Sequence, residues 1–302
     1  MSDLLRTFMR NRKAAIGLTI VLIYVAIAIF APLIAPFDPV ARVGRPHQAP
    51  SAEHWLGTTR MGRDVFSQLI WGIRTSLMVG IVAGLIVTAI GTAIGITAAY
   101  FGGWVDDVLN FLTNVVLVLP QLPLLLVLAA FLGQVGPWAI ALIIGLTSWA
   151  WGARVTRAQA MSLKTRDFIQ ASAMIGEPTW RMILVEMLPN LLSIIGFNFI
   201  GSVIFTIITE ATLEFLGLGS PLATSWGTML YNAQTASAIM VGAWWEVLAP
   251  CAAIVLIGIG LSLMNFGVDE IANPRMRTLG NVAKALRIEK RLTRQRMQEA
   301  NQ

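Results

Sequence analysis

Six stretches of this chain are continuously apolar: residues 14–35, 76–101, 108–133, 138–153, 188–209 and 247–266. A helix needs about 20 apolar residues to cross the hydrocarbon of a bilayer. The fourth stretch is the shortest and opens on Gly136-Pro137, where proline suits the first helical turn. None alternates apolar and polar residues, which excludes the pattern of a membrane β-barrel. Only a helix bonds its whole backbone internally in lipid. The expected fold is therefore an all-α integral membrane protein with six transmembrane helices. Charged residues make up 13% of the 302, against about 25% in an average soluble domain, too few to cover a water-soluble globule.

Lys and Arg fix the expected orientation. Arg6, Arg10, Arg12 and Lys13 precede the first span. Arg154, Arg157, Lys164, Arg166 and Arg181 lie between the fourth and fifth, and eight more lie at 275–296. The other face has only Arg42, Arg45, Arg60, Arg63 and Arg74. Both termini are thus expected in the cytoplasm. Asp106 and Asp107 make the 102–107 loop an acidic exception on that side. The net charge of +6 marks a membrane surface and calls for no nucleic acid. The tail at 284–296 is expected to rest on anionic lipid, at roughly 1 kcal/mol per basic residue. The first apolar run, ending in Ala35-Pro36-Phe37-Asp38, exceeds the about 7–15 residues of a signal-peptide core and is read as an uncleaved span.

Several chemistries lack their residues. There is no G-x-x-x-x-G-K-[ST] phosphate loop, no H-E-x-x-H and no cysteine cluster, Cys251 being the single cysteine. His47 and His54 fall in the outer loop without a carboxylate at ligand spacing, so surface or hydrogen-bonding roles are expected rather than a metal site. The spans hold almost no ionisable residues, which proton-driven pumps usually bury. Two matching halves with paired broken helices, common in secondary transporters, are not visible. The driving energy is expected to come from outside this chain.

The segment at 154–187 is too long for a simple turn. Phe168, Ile169, Ala173 and Met174 lie mostly on one helical face, Gly176 suits a helix C-cap, and Pro178 suits the start of a second helix. The expectation is helix, tight turn, helix. On the third span Asn110, Asn114 and Gln121 fall within about 40° of one another at 100° per residue, in a run interrupted by Pro120 and Pro123. On the fifth, Asn198, Ser202, Thr206 and Thr209 form a similar stripe leading to Glu210. These stripes are candidate translocation-path residues; interhelical hydrogen bonding is the competing role. Glu210 and Glu214 are candidates for an outer gate in a re-entrant or capping loop at 210–219. Gly80-x3-Gly84 and Gly91-x3-Gly95 permit close helix packing. Trp71, Trp104, Trp138 and Trp244-Trp245 sit near span ends, as interface belts do.

Gln170-Ala171-Ser172-x3-Gly176, with Leu188-Pro189 twelve residues on, resembles the EAA loop of bacterial ABC importer membrane subunits. That pattern reads E-A-A-x3-G-x9-I-x-L-P; Gln170, Ser172 and Glu186 depart from it. Further matches are Arg10–Ala14, the 30–39 run Phe-Ala-Pro-Leu-Ile-Ala-Pro-Phe-Asp-Pro, 54–67 around Gly57-Thr58 and Gly62-Arg63-Asp64, 210–219, Ser225–Met229 and Asn273-Pro274-Arg275. Together, over roughly residues 8–277, they are similar to the C-type permease subunit of dipeptide, oligopeptide and nickel importers. The resemblance implies a type I ABC importer transmembrane domain in a bacterial or archaeal cytoplasmic membrane. It implies a second, B-type permease, two cytoplasmic ATPases that carry the ATP and Mg, and an external binding protein, with no cofactor in this chain. It implies that Arg166, Asp167, Phe168, Gln170, Ala171, Ser172 and Gly176 form the ATPase-coupling contact. Peptides are the expected cargo, with oligosaccharides and then nickel as alternatives. A self-contained channel or secondary transporter, or a membrane-bound enzyme, is the competing class; dependence on a separate ATPase discriminates. The expected organisation is an N-terminal segment with the first span and outer loop at 1–74, a five-helix core at 75–268 containing the 154–187 loop, and a basic tail at 269–302.

Overall fold

The computed structural model describes residues 11–133, 136–220 and 222–272. Arg6, Arg10, the 284–296 tail and Asn273-Pro274-Arg275 lie outside the described residues. Among the described residues the secondary structure is helical, apart from one antiparallel bridge between Thr58 and Asp64. Four helices are long and apolar enough to span a membrane, and up to six spans result if each of two bent pairs is one.

Helix α1 (Arg12–Ile34) is capped by Asn11, whose side chain accepts from the Lys13 and Ala14 amides. α2 (Val65–Phe101) has 37 residues and starts well before the apolar run that announced it. The polar residues ahead of that run fold into the helix because Asp64 caps it. One Asp64 carboxylate oxygen accepts from the Ser67 amide and the Ser67 hydroxyl, each at 2.8 Å. The other lies 3.0 Å from His54 Nδ1, with both residues buried. His54 thus has the hydrogen-bonding role.

Where a third span is expected there are two helices, α3 (Gly103–Val118) and α4 (Gln121–Leu132), bent by 83°. Pro120 holds an extended conformation between them, and the residue before a proline is biased away from helix. Pro123 sits in the first turn of α4, where its missing N–H costs nothing. Helical structure likewise continues past the fourth apolar run: α5 (Pro137–Thr147) and α6 (Ala150–Lys164) meet at 42°. After α7 (Asp167–Met174) comes one turn, α8 (Thr179–Arg181), then a π-turn at Met182–Met187 and α9 (Leu188–Phe215). The π-turn has a local cause. Pro189 has no N–H to give the Val185 carbonyl, the Leu188 amide bonds instead to Ile183, and Asn190 Nδ2 donates to the Glu186 carbonyl at 2.7 Å. α10 (Trp226–Thr235) opens with a capping box between Ser225 and Thr228, and α11 (Trp245–Ala272) ends the described chain.

α2 is the hub. It packs along α6, α9, α5 and α1, while α1 and α11 pack on each other. The two glycine pairs divide this work. A Cβ on Gly80 or Gly84 would sit 2.6 or 2.8 Å from α9 side-chain atoms of Ile207 or Val203. Gly91 and Gly95 press instead on the α6 backbone around Ala153. Both pairs therefore serve contacts inside the chain. The 35–64 loop is folded onto α11: Trp245 Nε1 donates to the Thr58 carbonyl at 3.3 Å, and His47 Nδ1 lies 2.6 Å from Glu246 Oε1. Trp245 is accordingly buried, not part of an exposed belt, whereas Trp104, Trp138 and Trp244 are exposed.

Candidate functional site

At one end of the bundle α7 stands away from the core. Only Ile169 of its eight residues is buried, inserted in a cluster with Ile96, Ala99, Ala160, Met182, Met187 and Leu191. The expected single apolar face is therefore split: Ile169 points inward, while Phe168 and Met174 are exposed beside Ile175 and Trp180. Arg166, Asp167, Gln170, Ala171 and Gly176 are also exposed, and Ser172 is half-buried with its hydroxyl on the Phe168 carbonyl at 3.0 Å. The helix stops in a Schellman turn. Gly176 has φ +84°, its N–H donates to Ala173 O at 3.1 Å, and the Glu177 N–H donates to Ser172 O at 3.3 Å. Asp167 in the first turn complements the positive helix N-terminus.

A second feature lies between the bent helix pairs and α9. A cavity of about 440 Å³ is lined by Gln121, Ser148, Trp151, Asn198, Ser202 and Phe205, among others. It brings together one residue of the α3–α4 stripe and two of the α9 stripe. Gln121 Nε2 donates to Ser148 Oγ at 2.6 Å, and Asn198 Nδ2 to Thr156 Oγ1 at 3.3 Å. Thr206 is elsewhere, fully buried with its hydroxyl on its own helix at Ser202 O, 2.5 Å away.

Asn114 and Asn110 lie one and two turns from the cavity along α3. Asn114 Oδ1 accepts from Arg154 Nη2 of α6 at 2.7 Å. A turn beyond Asn110, Asp106 takes Arg157 through both carboxylate oxygens, at 2.5 and 2.6 Å. Gln121–Ser148, Asn114–Arg154 and Asp106–Arg157 thus form a polar ladder between the two bent helix pairs. Sequence reasoning found one rail of it. The other rail, Ser148 at the bend and Arg154 and Arg157 on α6, is hidden because the apolar run ends at Ala153 and both arginines fall beyond it.

At the opposite end, the 210–219 segment is not the loop expected. α9 runs through Glu210 and Glu214 to Phe215, so the two carboxyl groups share a helix face one turn apart. Both are buried. Ser76 Oγ of α2 lies 3.1 and 3.3 Å from the Glu210 oxygens, and Ser225 Oγ donates to Glu214 Oε2. Cβ atoms on Gly219 and Gly227 would each come within 2.7 Å of the Glu214 side chain. The pair ties α2, α9 and the start of α10 together rather than lining an open rim.

Residues 91–278 match the model of the family described as binding-protein-dependent transport system inner membrane component. The chain belongs to that family. Residues 1–50 of this permease also match the N-terminal transmembrane domain of oligopeptide transport permease C. Among curated relatives, the dipeptide transport system permease protein DppC of Bacillus subtilis is 34% identical over 91% of this chain and 86% of its own length. The oligopeptide transport system permease protein OppC of the same organism is 30% identical over 91% and 90%. A putative peptide permease protein of Brucella suis is 34% identical over 89% of each chain. The permease is thus an inner-membrane transport component and not an ATPase. The 91–278 match starts in the second half of α2, so it includes α7, the carboxyl pair and every lining residue of the cavity except Val87.

Proposed function

We propose that this permease is half of the translocation pore of an ATP-driven importer for di- or oligopeptides. A second permease completes the pore. Two cytoplasmic ATPases supply ATP and Mg chemistry, and an external binding protein delivers the cargo. Each bent pair counts as one span, which gives six spans and puts both termini with α7 on the cytoplasmic side. The 17-to-5 distribution of basic residues supports that orientation.

The observation that carries the proposal is α7 itself. It is an exposed helix, held to the core by Ile169 and closed by a fixed turn at Gly176. An element attached at one buried residue, with Phe168 and Met174 facing outward, is a handle that a partner can grip. Arg166, Asp167, Phe168, Gln170, Ala171, Ser172 and Gly176 form that contact. Movement of α7 passes through the cluster around Ile169 to α2, α6 and the π-turn at the foot of α9. These helices line the cavity containing Gln121, Asn198 and Ser202, with Asn110 and Asn114 below it. A partner shifts such a gate only by binding its two states with different affinity. Glu210 and Glu214 hold the outer end of α9 against α2 and α10, so the outer gate is a packed joint.

The peptide reading rests on the names of the relatives at 30–34% identity. The test is purification in mild detergent with co-purifying chains, followed by reconstitution in vesicles. ATP-dependent uptake of labelled di- and tetrapeptides is expected, and none by the isolated chain. Uptake of an oligosaccharide or of nickel in place of peptide would replace the cargo; uptake by the isolated chain would remove the importer reading altogether.

A further inference from the structure

The polar ladder between α3 and α6 is uneven in charge. Asp106 and Arg157 neutralise each other through two short hydrogen bonds. Arg154, one turn nearer the cavity, has only the Asn114 amide oxygen at 2.7 Å, and the contact is exposed. Among the described residues no carboxylate lies within ion-pair distance of Arg154. A guanidinium has five donors in a planar fork suited to two carboxylate oxygens, and one amide oxygen occupies one of them.

The position matters as much as the charge. Arg154 is three residues after Trp151 on α6, and Asn114 three before Leu117 on α3; Trp151 and Leu117 both line the cavity. Residues three apart on a helix are neighbours on one face. The Arg154–Asn114 pair therefore lies one helical turn from the cavity lining, on the side of α7. An arginine at the cytoplasmic end of a membrane helix, beside a cavity, is placed where a passing solute meets it.

We infer that Arg154, oriented by Asn114, is a carboxylate-binding station at the inner end of the translocation cavity. It takes a free carboxylate of the passing solute, such as a peptide C-terminus. The inference rests on the importer reading and adds a charge selectivity that resides in the permease, separate from any selection by the binding protein.

The test uses the reconstituted complex with its binding protein and one peptide in two forms, free acid and C-terminal amide. The same binding protein serves both, so its own preference cancels when variants are compared. Arg154→Gln is expected to lower the acid-to-amide uptake ratio by about tenfold, the loss of one charge-assisted hydrogen bond. Arg154→Lys, which keeps the charge without the fork, is expected to recover most of that ratio. An unchanged ratio in Arg154→Gln overturns the inference, whether both rates fall together or neither does. A fall common to both forms that vanishes when anionic lipid is removed from the vesicles would assign Arg154 to lipid phosphate instead. If the wild-type complex moves neither peptide, the cargo reading fails; if it moves both and the variants keep its ratio, only this station fails.

Discussion

Gly95 of α2 lies directly against Ala153 of α6. A Cβ on Gly95 would be 2.7 Å from the Ala153 carbonyl oxygen and 2.9 Å from the Arg157 amide nitrogen. Both neighbours are backbone, so neither can rotate away. Gly95→Ala is expected to destabilise the permease by about 1–3 kcal/mol, the range for overpacking a filled interface. Gly95→Leu should prevent recovery of folded protein. Gly258 of α11 is the control, because nothing lies within 4 Å of its Cβ position. There Gly→Ala is expected to gain up to about 1 kcal/mol through the unfolded state. Thermal midpoints in detergent check the pair; equal shifts at 95 and 258 would contradict the packing account.

Gly176 is constrained differently. Space around it is open, but its φ of +84° is a left-handed conformation. Such a conformation costs an L-residue roughly 1–2 kcal/mol, and a β-branched side chain fits it worst. Gly176→Val is expected to leave membrane insertion and global stability nearly intact while disturbing the turn that aims α7. Substrate-stimulated ATP hydrolysis of the assembled complex should fall about tenfold or more. Gly176→Asn, which tolerates this region better, should fall less. Wild-type stimulation in the valine variant would show that the Schellman turn does not transmit the signal.

Helix existence was legible because lipid imposes a strong requirement: long apolar runs must be helical. Helix ends were not. α2 starts at Val65 because Asp64, His54 and Ser67 build a cap, and those three residues meet only in the fold. The sharp bend at Pro120 could be anticipated from the proline, whereas its partner, the milder bend at Ser148-Trp149, has no proline to announce it. In the candidate site, the turn at Gly176 was readable from one glycine, and the α9 stripe from its periodicity. The stripe did not reveal that Ser202 faces the cavity while Thr206 is spent on its own backbone. Charge was only partly legible: the sequence suggests Glu210 and Glu214 for an outer gate in a re-entrant or capping loop, whereas both lie buried on α9 beside the hydroxyls of Ser76 and Ser225.

Asp106 and Arg157 should be energetically coupled. Their side chains retain 16% and 26% exposure, respectively, so the pair is partly shielded from water and salt. Removing one partner leaves the other charge half-buried. Asp106→Asn and Arg157→Gln are each expected to destabilise, with a coupling energy of about 1–2 kcal/mol in a double-mutant cycle. The double variant should be no less stable than the worse single. Unfolding midpoints of the four proteins give the coupling, and additive effects would mean that the two helices are held by apolar packing alone.

Ser202 and Thr206 stand one turn apart on α9 and should respond oppositely. Ser202 lines the cavity of about 440 Å³ opposite Gln121 and Trp151. Ser202→Phe adds a ring into that space with room to accommodate it, so folding and complex assembly should survive while solute passage narrows. Uptake is expected to drop at least about tenfold, with ATP hydrolysis retained, because α7 and its anchor at Ile169 are untouched. Thr206 has its hydroxyl bonded to its own helix at Ser202 O, and it is absent from the cavity lining. Thr206→Val removes that bond without opening a path to water. Back-bonding of a helical threonine contributes little to stability, so uptake should stay within about twofold of wild type. Rates of peptide uptake and ATP hydrolysis, measured on the same vesicles, separate the two cases. If Thr206→Val blocked uptake and Ser202→Phe did not, the path would have to run on the other side of α9, between that helix and α2. The close contacts of Gly80 with Ile207 and of Gly84 with Val203 seal the outer part of that interface, and the cavity of about 660 Å³ that opens further along between the two helices is lined mainly by apolar side chains.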